Sequence, residues 1–115
     1  MTDASAAVGD SGSSERLAVG DVVLNRAAHL VTVAGRPLTL ARQEFRLLEL
    51  LMKHADHVVD SRVILEEVWG PNYTGDPGTL AVHMLRLRNK LERGAGSRHL
   101  RTVRGIGYVF DTDPI

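Results

Sequence analysis

The segment from Thr79 to Glu92 combines an apolar stripe at helical spacing with a basic opposite side, and a glycine-containing hairpin pattern follows it. The apolar residues recur at i, i+4, i+7 and i+11, which predicts a helix with one side against a core. Two strand patterns, His99–Val103 and Tyr108–Phe110, flank residues 104–107, where glycines permit positive φ. The chain therefore ends in a helix and a β-ribbon that share one core. The apolar helix residues are Leu80, Met84, Leu87 and Leu91.

Charge is distributed unevenly along the chain, although the formal net charge of the whole is zero. Residues 78–110 carry seven Lys or Arg and one acid, whereas residues 1–77 carry seven basic and eleven acidic side chains, and the last five residues add two Asp. Phosphates respond to charges within a Debye length, roughly 8–10 Å, so the local excess of basic charge outweighs the neutral total. The helix and hairpin have the charge expected of a nucleic-acid-binding surface.

The side of this helix opposite its apolar stripe carries residue types that can read bases. An α-helix fits the major groove of B-DNA, where Arg binds guanine, Asn binds adenine and an apolar side chain contacts a thymine methyl group. The alternative is a solvated amphipathic helix whose Arg and Lys serve solubility. The hairpin favours DNA, because Arg101 and Arg104 would project from it and Thr102 could donate to a phosphate. At about 100° per residue, the outer side holds Gly78, Val82, Leu85, Arg86 and Asn89, with Thr79, His83 and Lys90 along one flank and Arg88 along the other.

The first part of the chain predicts a small antiparallel sheet. Strands are expected over Leu17–Leu24, His29–Val33 and Pro37–Leu40, with turns at Asn25-Arg26 and at residues 34–36. In the second strand, Val31 and Val33 share the face opposite Leu30.

Two helices are expected between this sheet and the basic helix. A mostly buried helix spans Ala41–His54, and after a break at residues 55–60 a second helix begins at Ser61 as its cap and ends near Trp69. The Gly- and Pro-rich loop of residues 70–77 follows. Three helices with a basic last helix and a basic hairpin predict a winged helix-turn-helix, an α+β fold.

Length and composition limit the number of domains and the class of protein. A chain of 115 residues with 43% apolar content buries one core, expected over residues 16–112. Residues 1–15 are small and polar, which predicts a flexible tail. No apolar run approaches the ~20 residues that cross a bilayer, and no signal peptide is recognisable. We expect a soluble, cytoplasmic protein that does not enter a membrane.

The sequence offers little for catalysis, metals or cofactors. The absence of cysteine excludes disulfides, thiolate metal sites and Cys nucleophiles. His54 and His57, near Asp56 and Asp60, could bind a metal ion weakly, but the alternative is a set of exposed residues at a helix C-terminus, which suits an imidazolium. The two glycines at residues 105–107 do not form a dinucleotide fingerprint. We expect no enzyme, no cofactor and no metal site.

Four motifs resemble the OmpR/PhoB-type output domains of bacterial response regulators, which belong to two-component systems. They are LTLARQEFRLLELL, SRVILEEVWG, TLAVHMLRLRNKLE and TVRGIGYVF, and they stand in the order and spacing of that family from about Leu17 to Phe110. The resemblance implies an N-terminal four-stranded antiparallel sheet, three helices and a C-terminal wing. It also implies sequence-specific binding to double-stranded DNA and regulation of transcription on paired or direct-repeat half-sites. Whether the chain forms a dimer on tandem half-sites stays open.

The resemblance also implies roles for individual residues. The helix of residues 79–92 would enter the major groove, and the wing of residues 99–110 would reach the minor groove or its phosphates. Trp69 would pack in the core or lend its indole N–H to a phosphate, and the loop of residues 70–77 would face RNA polymerase. The residues implied for bases or phosphates are Val82, His83, Arg86 and Arg88, those for the wing are Thr102 and Arg104, and those for the polymerase loop are Asn72, Tyr73 and Asp76.

The chain departs from the family pattern on the outer side of the basic helix. The family commonly has a basic residue at the position of Leu85, an acidic one at Ala81 and often a basic one at Gly78. Leu85 would then read a thymine methyl group or face a protein, so a winged-helix protein-interaction module without sequence-specific DNA binding is the alternative function. The expected tail cannot hold the receiver domain that usually precedes such output domains, so a fragment, a stand-alone regulator and a fusion all stay open.

Overall fold

The N-terminal part of the chain forms a four-stranded antiparallel sheet. The computed structural model describes residues 15–73, 78–94 and 96–113, so nearly all of the predicted tail lies outside the described residues. The strands pair in sequence order, each with the next along the chain. The sheet implied by the family resemblance is thereby confirmed. Its strands are β1 (Arg16–Val19), β2 (Val22–Asn25), β3 (Leu30–Val33) and β4 (Arg36–Leu38).

The prediction of a single strand over Leu17–Leu24 is wrong. Gly20 and Asp21 turn the chain between β1 and β2, and Val19 pairs with Val22 across this two-residue loop. Gly20 has φ +59°, a conformation that glycine adopts at little steric cost. Periodicity alone could not reveal the reversal, because apolar residues stand on both sides of the turn.

The alternation predicted for the next strand is confirmed. Val31 and Val33 are buried, whereas Leu30, on the opposite face of β3, is 55% exposed. The turn predicted at Asn25-Arg26 is displaced, because Asn25 ends β2 and pairs with Leu30. The connection between β2 and β3 is therefore the four residues 26–29.

Three helices follow the sheet, close to the predicted positions. They are α1 (Arg42–Lys53), α2 (Ser61–Trp69) and α3 (Gly78–Asn89), and a π-helical turn over Lys90–Gly94 extends α3. The prediction that Ser61 caps α2 is wrong: Asp60 is the N-cap, and its carboxylate accepts a hydrogen bond of 2.7 Å from the backbone N–H of Arg62. None of the helices in the described ranges has both the length and the apolar character that a membrane span requires.

The apolar faces of the three helices meet the inner face of the sheet in one core. The stripe predicted for α3 is buried throughout, with exposed fractions of 3% or less. The same holds for most inward positions of α1 and α2, although Leu65 is only half-buried. The predicted stripes are confirmed at Phe45, Leu47, Leu48, Leu50, Leu51, Met52, Ile64, Val68, Leu80, Met84, Leu87 and Leu91.

A second, three-stranded sheet forms the C-terminal wing and joins it to the helices. Its strands are β5 (Val59–Asp60), β6 (Leu100–Val103) and β7 (Gly107–Phe110), with β7 in the centre. The predicted break at residues 55–60 thus contains a short strand that pattern reading missed. At the tip, the backbone N–H of Ser61 donates to the carbonyl of Ile106 at 3.0 Å, which fixes the wing to the start of α2.

Candidate nucleic-acid interface

The outer face of α3 consists of Gly78, Val82, Leu85, Arg86 and Asn89, and all five residues are exposed. Val82 and Leu85 are 46% and 54% exposed, although both are large apolar side chains. The residues predicted for the flanks are half-buried, which agrees with their position beside the buried stripe. Those flanking residues are Thr79, His83, Arg88 and Lys90.

Arg86 is the exposed cation at the centre of this face. No hydrogen bond or ion pair involves its guanidinium in the part of the chain that the structure describes. A guanidinium carries five N–H donors in a planar fork that matches the two acceptors of a guanine edge. Arg86 is therefore free to make a bidentate contact with a ligand that approaches the outer face.

The end of α3 is connected to the wing through Arg88. Its guanidinium donates a hydrogen bond to the hydroxyl oxygen of Thr102 on β6. A threonine hydroxyl that accepts through one lone pair keeps its own proton for donation. Thr102 can therefore still donate to a phosphate, and the contact links the end of α3 to β6.

The two arginines of the hairpin differ in how far their charge is compensated. Arg101 donates to both carboxylate oxygens of Asp111, at 2.7 and 3.1 Å. These hydrogen bonds raise the pKa of the Arg101 guanidinium above its ordinary value. Arg104 is exposed beside Gly105 in the turn between β6 and β7, and no ion pair holds it among the described residues. Arg104 is consequently the available cation at the wing tip.

An open groove between the end of α3 and β6 extends the basic surface. Its volume is about 380 Å³, and three arginines and one acid are among the residues that line it. Arg98 contributes to this groove but was not among the predicted site residues, because its position in a loop gave no periodic signal. The lining residues are Arg88, Glu92, Arg98, Leu100, Arg101 and Thr102.

Lys90 is the first residue of the π-helical turn that extends α3, and its ammonium group is directed towards α1. The Nζ atom donates to Oε1 of Glu44 at 2.6 Å, and the same oxygen accepts from the backbone N–H of Ala41 at 2.8 Å. Burial of the Glu44 carboxyl acts to raise its pKa, but the hydrogen bonds from Lys90 and Ala41 outweigh burial and lower the pKa below its ordinary value. The pair therefore joins α3 to α1, a contact between residues 46 positions apart that sequence patterns could not show.

An aromatic cluster lies where α2, the following loop and α3 meet. The Trp69 ring meets His83 edge-on at a centroid distance of 5.2 Å and lies 6.0 Å from Tyr73. Nδ1 of His83 lies 2.8 Å from the carbonyl oxygen of Thr79 and, because a carbonyl only accepts, carries a proton there. Trp69 is half-buried and packs against the core.

The predicted loop is only partly described. Asn72 is exposed, and Tyr73 is half-buried beside Trp69. Asp76, the third residue predicted for the polymerase-facing loop, lies outside the described residues.

The two aspartates near the end of α1 have hydrogen-bond partners within the protein. Asp56 accepts from the backbone N–H of Thr112 at 2.7 Å, and Asp60 caps α2. The hydrogen bond that the Thr112 hydroxyl donates is the larger cause, and with the one from the Thr112 backbone N–H it lowers the pKa of Asp56 below its ordinary value. Within the described ranges, no group of three or more His, Cys, Asp or Glu side chains is arranged to hold a metal ion.

Comparison with known families gives a match over most of the folded chain. The family described as "Transcriptional regulatory protein, C terminal" matches residues 35–110, from the β3–β4 turn to the end of the wing. The chain belongs to this family. The resemblance to OmpR/PhoB-type output domains is thereby confirmed, and so is its winged-helix fold.

Relatives of known name and structure are consistent with the family assignment. The chain is 44% identical over 104 residues to the sensory transduction protein RegX3 of Mycolicibacterium smegmatis, covering 89% of the chain and 46% of RegX3. The chain thus spans about half the length of the curated relatives that it matches. The DNA-binding domain of RstA from Klebsiella pneumoniae, solved in complex with the RstA box, superposes with a TM-score of 0.74 at 27% identity and covers 86% of this chain and 99% of that domain. The DNA-binding domain of CpxR from E. coli gives 0.71 at 34% identity, with coverages of 84% and 95%.

Proposed function

We propose that this chain is a DNA-binding domain that recognises a specific sequence in double-stranded DNA and regulates transcription. The observation that carries this proposal is the outer face of α3, where Arg86 and Asn89 are exposed beside a wing whose Arg104 has no ion pair among the described residues. The complex of the similar RstA domain with the RstA box supports it. Because bacterial chromosomal DNA lies in the cytoplasm, the protein would act there.

In this proposal the outer face of α3 lies in the major groove. Arg86 binds a guanine edge and Asn89 an adenine edge, and Val82 contacts the groove floor. The flanking residues Thr79 and His83 face phosphates. Arg88 and Thr102 act together at the phosphates, because their hydrogen bond links the wing to the end of the helix.

The wing and the loop would make the remaining contacts. Arg104 reaches phosphates or the minor groove, and the indole N–H of Trp69 donates to a phosphate beside His83. We assign Lys90 to holding the end of α3, because its ammonium group is paired with Glu44. Asn72, Tyr73 and Asp76 would contact RNA polymerase. A single recognition helix implies two copies on paired half-sites, since one copy buries little DNA surface.

Selection of binding sites from random duplex DNA tests this proposal. We expect an enriched sequence whose affinity, measured by fluorescence anisotropy, exceeds that of a scrambled duplex at least tenfold. Absence of enrichment, with weak and steeply salt-dependent binding, would contradict sequence recognition. That result would favour the alternative, a winged-helix protein-interaction module, for which the exposed Val82 and Leu85 offer an apolar surface.

Arg86→Ala is expected to lower affinity for the enriched duplex by about 1–3 kcal/mol and to relax base preference at one position, because a bidentate base contact is lost. Anisotropy titrations against all four base pairs at each position measure both effects. Arg16→Ala is the matched control, since Arg16 is an exposed arginine on the edge strand β1. Arg16→Ala should keep the parent's affinity. If Arg86→Ala weakens binding to the target and to the scrambled duplex by the same factor, Arg86 is not a base-reading residue.

Arg104→Ala is expected to weaken binding to target and scrambled duplexes by a similar factor. The loss of one phosphate contact should reduce the slope of log affinity against log salt concentration by about 0.9. Titrations at four or more salt concentrations give this slope. An unchanged slope with altered base preference would show that Arg104 reads a base and not a phosphate.

A further inference from the structure

Leu85 is an exposed leucine at the centre of a surface that otherwise suits polar contacts. Six large apolar side chains of the described residues are exposed, and two of them, Val82 and Leu85, lie on the outer face of α3. Leu85 directly precedes Arg86 and lies one helical turn before Asn89. An apolar side chain between two base-reading groups needs an apolar partner in the groove, because contact with a polar base edge would leave that edge without a hydrogen bond.

The charges around Leu85 also argue against a phosphate as its neighbour. Of the three cations in residues 85–90, Lys90 is paired with Glu44, and Arg88, which keeps its charge, reaches along the flank to the hydroxyl of Thr102, so Arg86 is the cation on the outer face itself. The centre of α3 is therefore suited to the floor of the groove and not to its charged edges. Among the four bases, only thymine presents an apolar group, its 5-methyl, in the major groove.

The spacing along the helix permits Val82 and Leu85 to contact neighbouring base pairs. Three residues of α-helix rise about 4.5 Å, and successive base pairs are separated by about 3.4 Å. Both side chains project on the same exposed side as Arg86, so a thymine contacted by Leu85 lies close to the base that Arg86 contacts.

We infer that Leu85 is a specificity-determining residue that reads the 5-methyl group of a thymine next to the base bound by Arg86. The inference rests on the proposed function and deepens it, since it names a base that the operator must contain. A thymine-to-cytosine exchange at this position removes the methyl group and places a polar amino group against Leu85.

Single replacements of thymine by deoxyuridine in the enriched duplex test the inference, because they remove only the methyl group. We expect the affinity of the parent protein to fall about fourfold at one position, the ratio that corresponds to ~0.8 kcal/mol for one buried methyl group. For Leu85→Ala the same replacement should have no effect on affinity. Leu30→Ala is the matched control, since Leu30 is 55% exposed on β3, and it should keep the parent's response.

A second variant tests whether Leu85 faces the duplex at all. Leu85→Lys places a cation against the apolar methyl group on the groove floor and not against a phosphate, so it should lower the affinity for the enriched duplex by about fourfold or more and leave the slope of log affinity against log salt at the parent's value. A slope steeper by about 0.9, or an equal response of parent and Leu85→Ala to every deoxyuridine replacement, would overturn the inference and leave the proposed function intact. Failure of the parent to enrich any duplex would overturn the proposed function itself.

Discussion

Replacement of Gly107 by alanine is expected to lower the free energy of unfolding by about 3 kcal/mol or more, one of the larger effects of a single substitution in a small domain. A Cβ atom at Gly107 would lie 1.9 Å from the carbonyl oxygen of Val59 and 3.0 Å from the Cα atom of Asp60. Both neighbours are backbone atoms of β5, so no side-chain rotation can relieve the overlap. The substitution must therefore separate β5 from β7.

Urea denaturation measures this loss, with Gly105→Ala as the matched control in the same wing. Nothing lies within 4 Å of a Cβ atom at Gly105, but its φ of +77° is unfavourable for alanine. The control should cost about 1–2 kcal/mol, the strain of a left-handed conformation. If the two variants lose equal stability, close backbone approach does not explain the glycine at position 107.

The helices could be predicted from the sequence because each carries its own signal. A stripe of apolar residues at i, i+3 or i+4 specifies both the helix and its buried side without knowledge of what lies opposite. The stripe from Leu80 to Leu91 illustrates this, since every predicted inward residue is buried. Its outer face followed from the same geometry.

The strands and the caps were harder to predict because their signals depend on distant partners. The two-residue strand β5 is recognisable only through its pairing with Tyr108 and Gly107, nearly fifty residues later. In the same way, Ser61 and Asp60 are both good capping residues, and tertiary pairing of Asp60 decides between them.

The predicted site differs from the observed surface in which charges are paired. Composition gave the number of basic residues, and helical geometry gave their side of α3. Neither composition nor helical geometry could show that Arg101 is paired with Asp111 or Lys90 with Glu44, because these pairs join parts of the chain that meet only in the fold. The surface therefore presents fewer available cations than the sequence suggests, with Arg86 and Arg104 the foremost.

Lys90→Met is expected to destabilise the protein by about 2 kcal/mol at neutral pH. The Glu44 side chain is 3% exposed, and removal of Lys90 leaves its charge with the Ala41 N–H as the remaining hydrogen-bond donor in the described part of the chain. Loss of one partner of a fully buried pair costs about 3–5 kcal/mol, and we expect less because Lys90 itself is 40% exposed. Arg26→Met, which breaks the more exposed pair with Glu49, should cost at most about 1 kcal/mol.

The pH dependence identifies the cause of this loss. In the parent, the pKa of Glu44 lies below its ordinary value of 4.5, so its contribution to stability is present above that pH and is lost as pH falls through the lowered pKa. Without Lys90, burial should prevail and raise the pKa, so the variant loses stability as pH rises through it. The difference between parent and variant should thus be largest near neutral pH and smallest in acid, as urea denaturation across pH can measure. A pH-independent difference would indicate lost packing.

The same variant separates the two roles open to Lys90 at the end of α3. A lysine that binds a DNA phosphate contributes about 0.9 to the slope of log affinity against log salt. A lysine that is engaged with Glu44 contributes nothing to that slope, although its loss can weaken binding through movement of α3. We therefore expect Lys90→Met, studied where it is fully folded, to keep the parent's slope, whereas Arg104→Ala reduces it. A reduced slope for Lys90→Met would mean that the ammonium group leaves Glu44 when DNA binds.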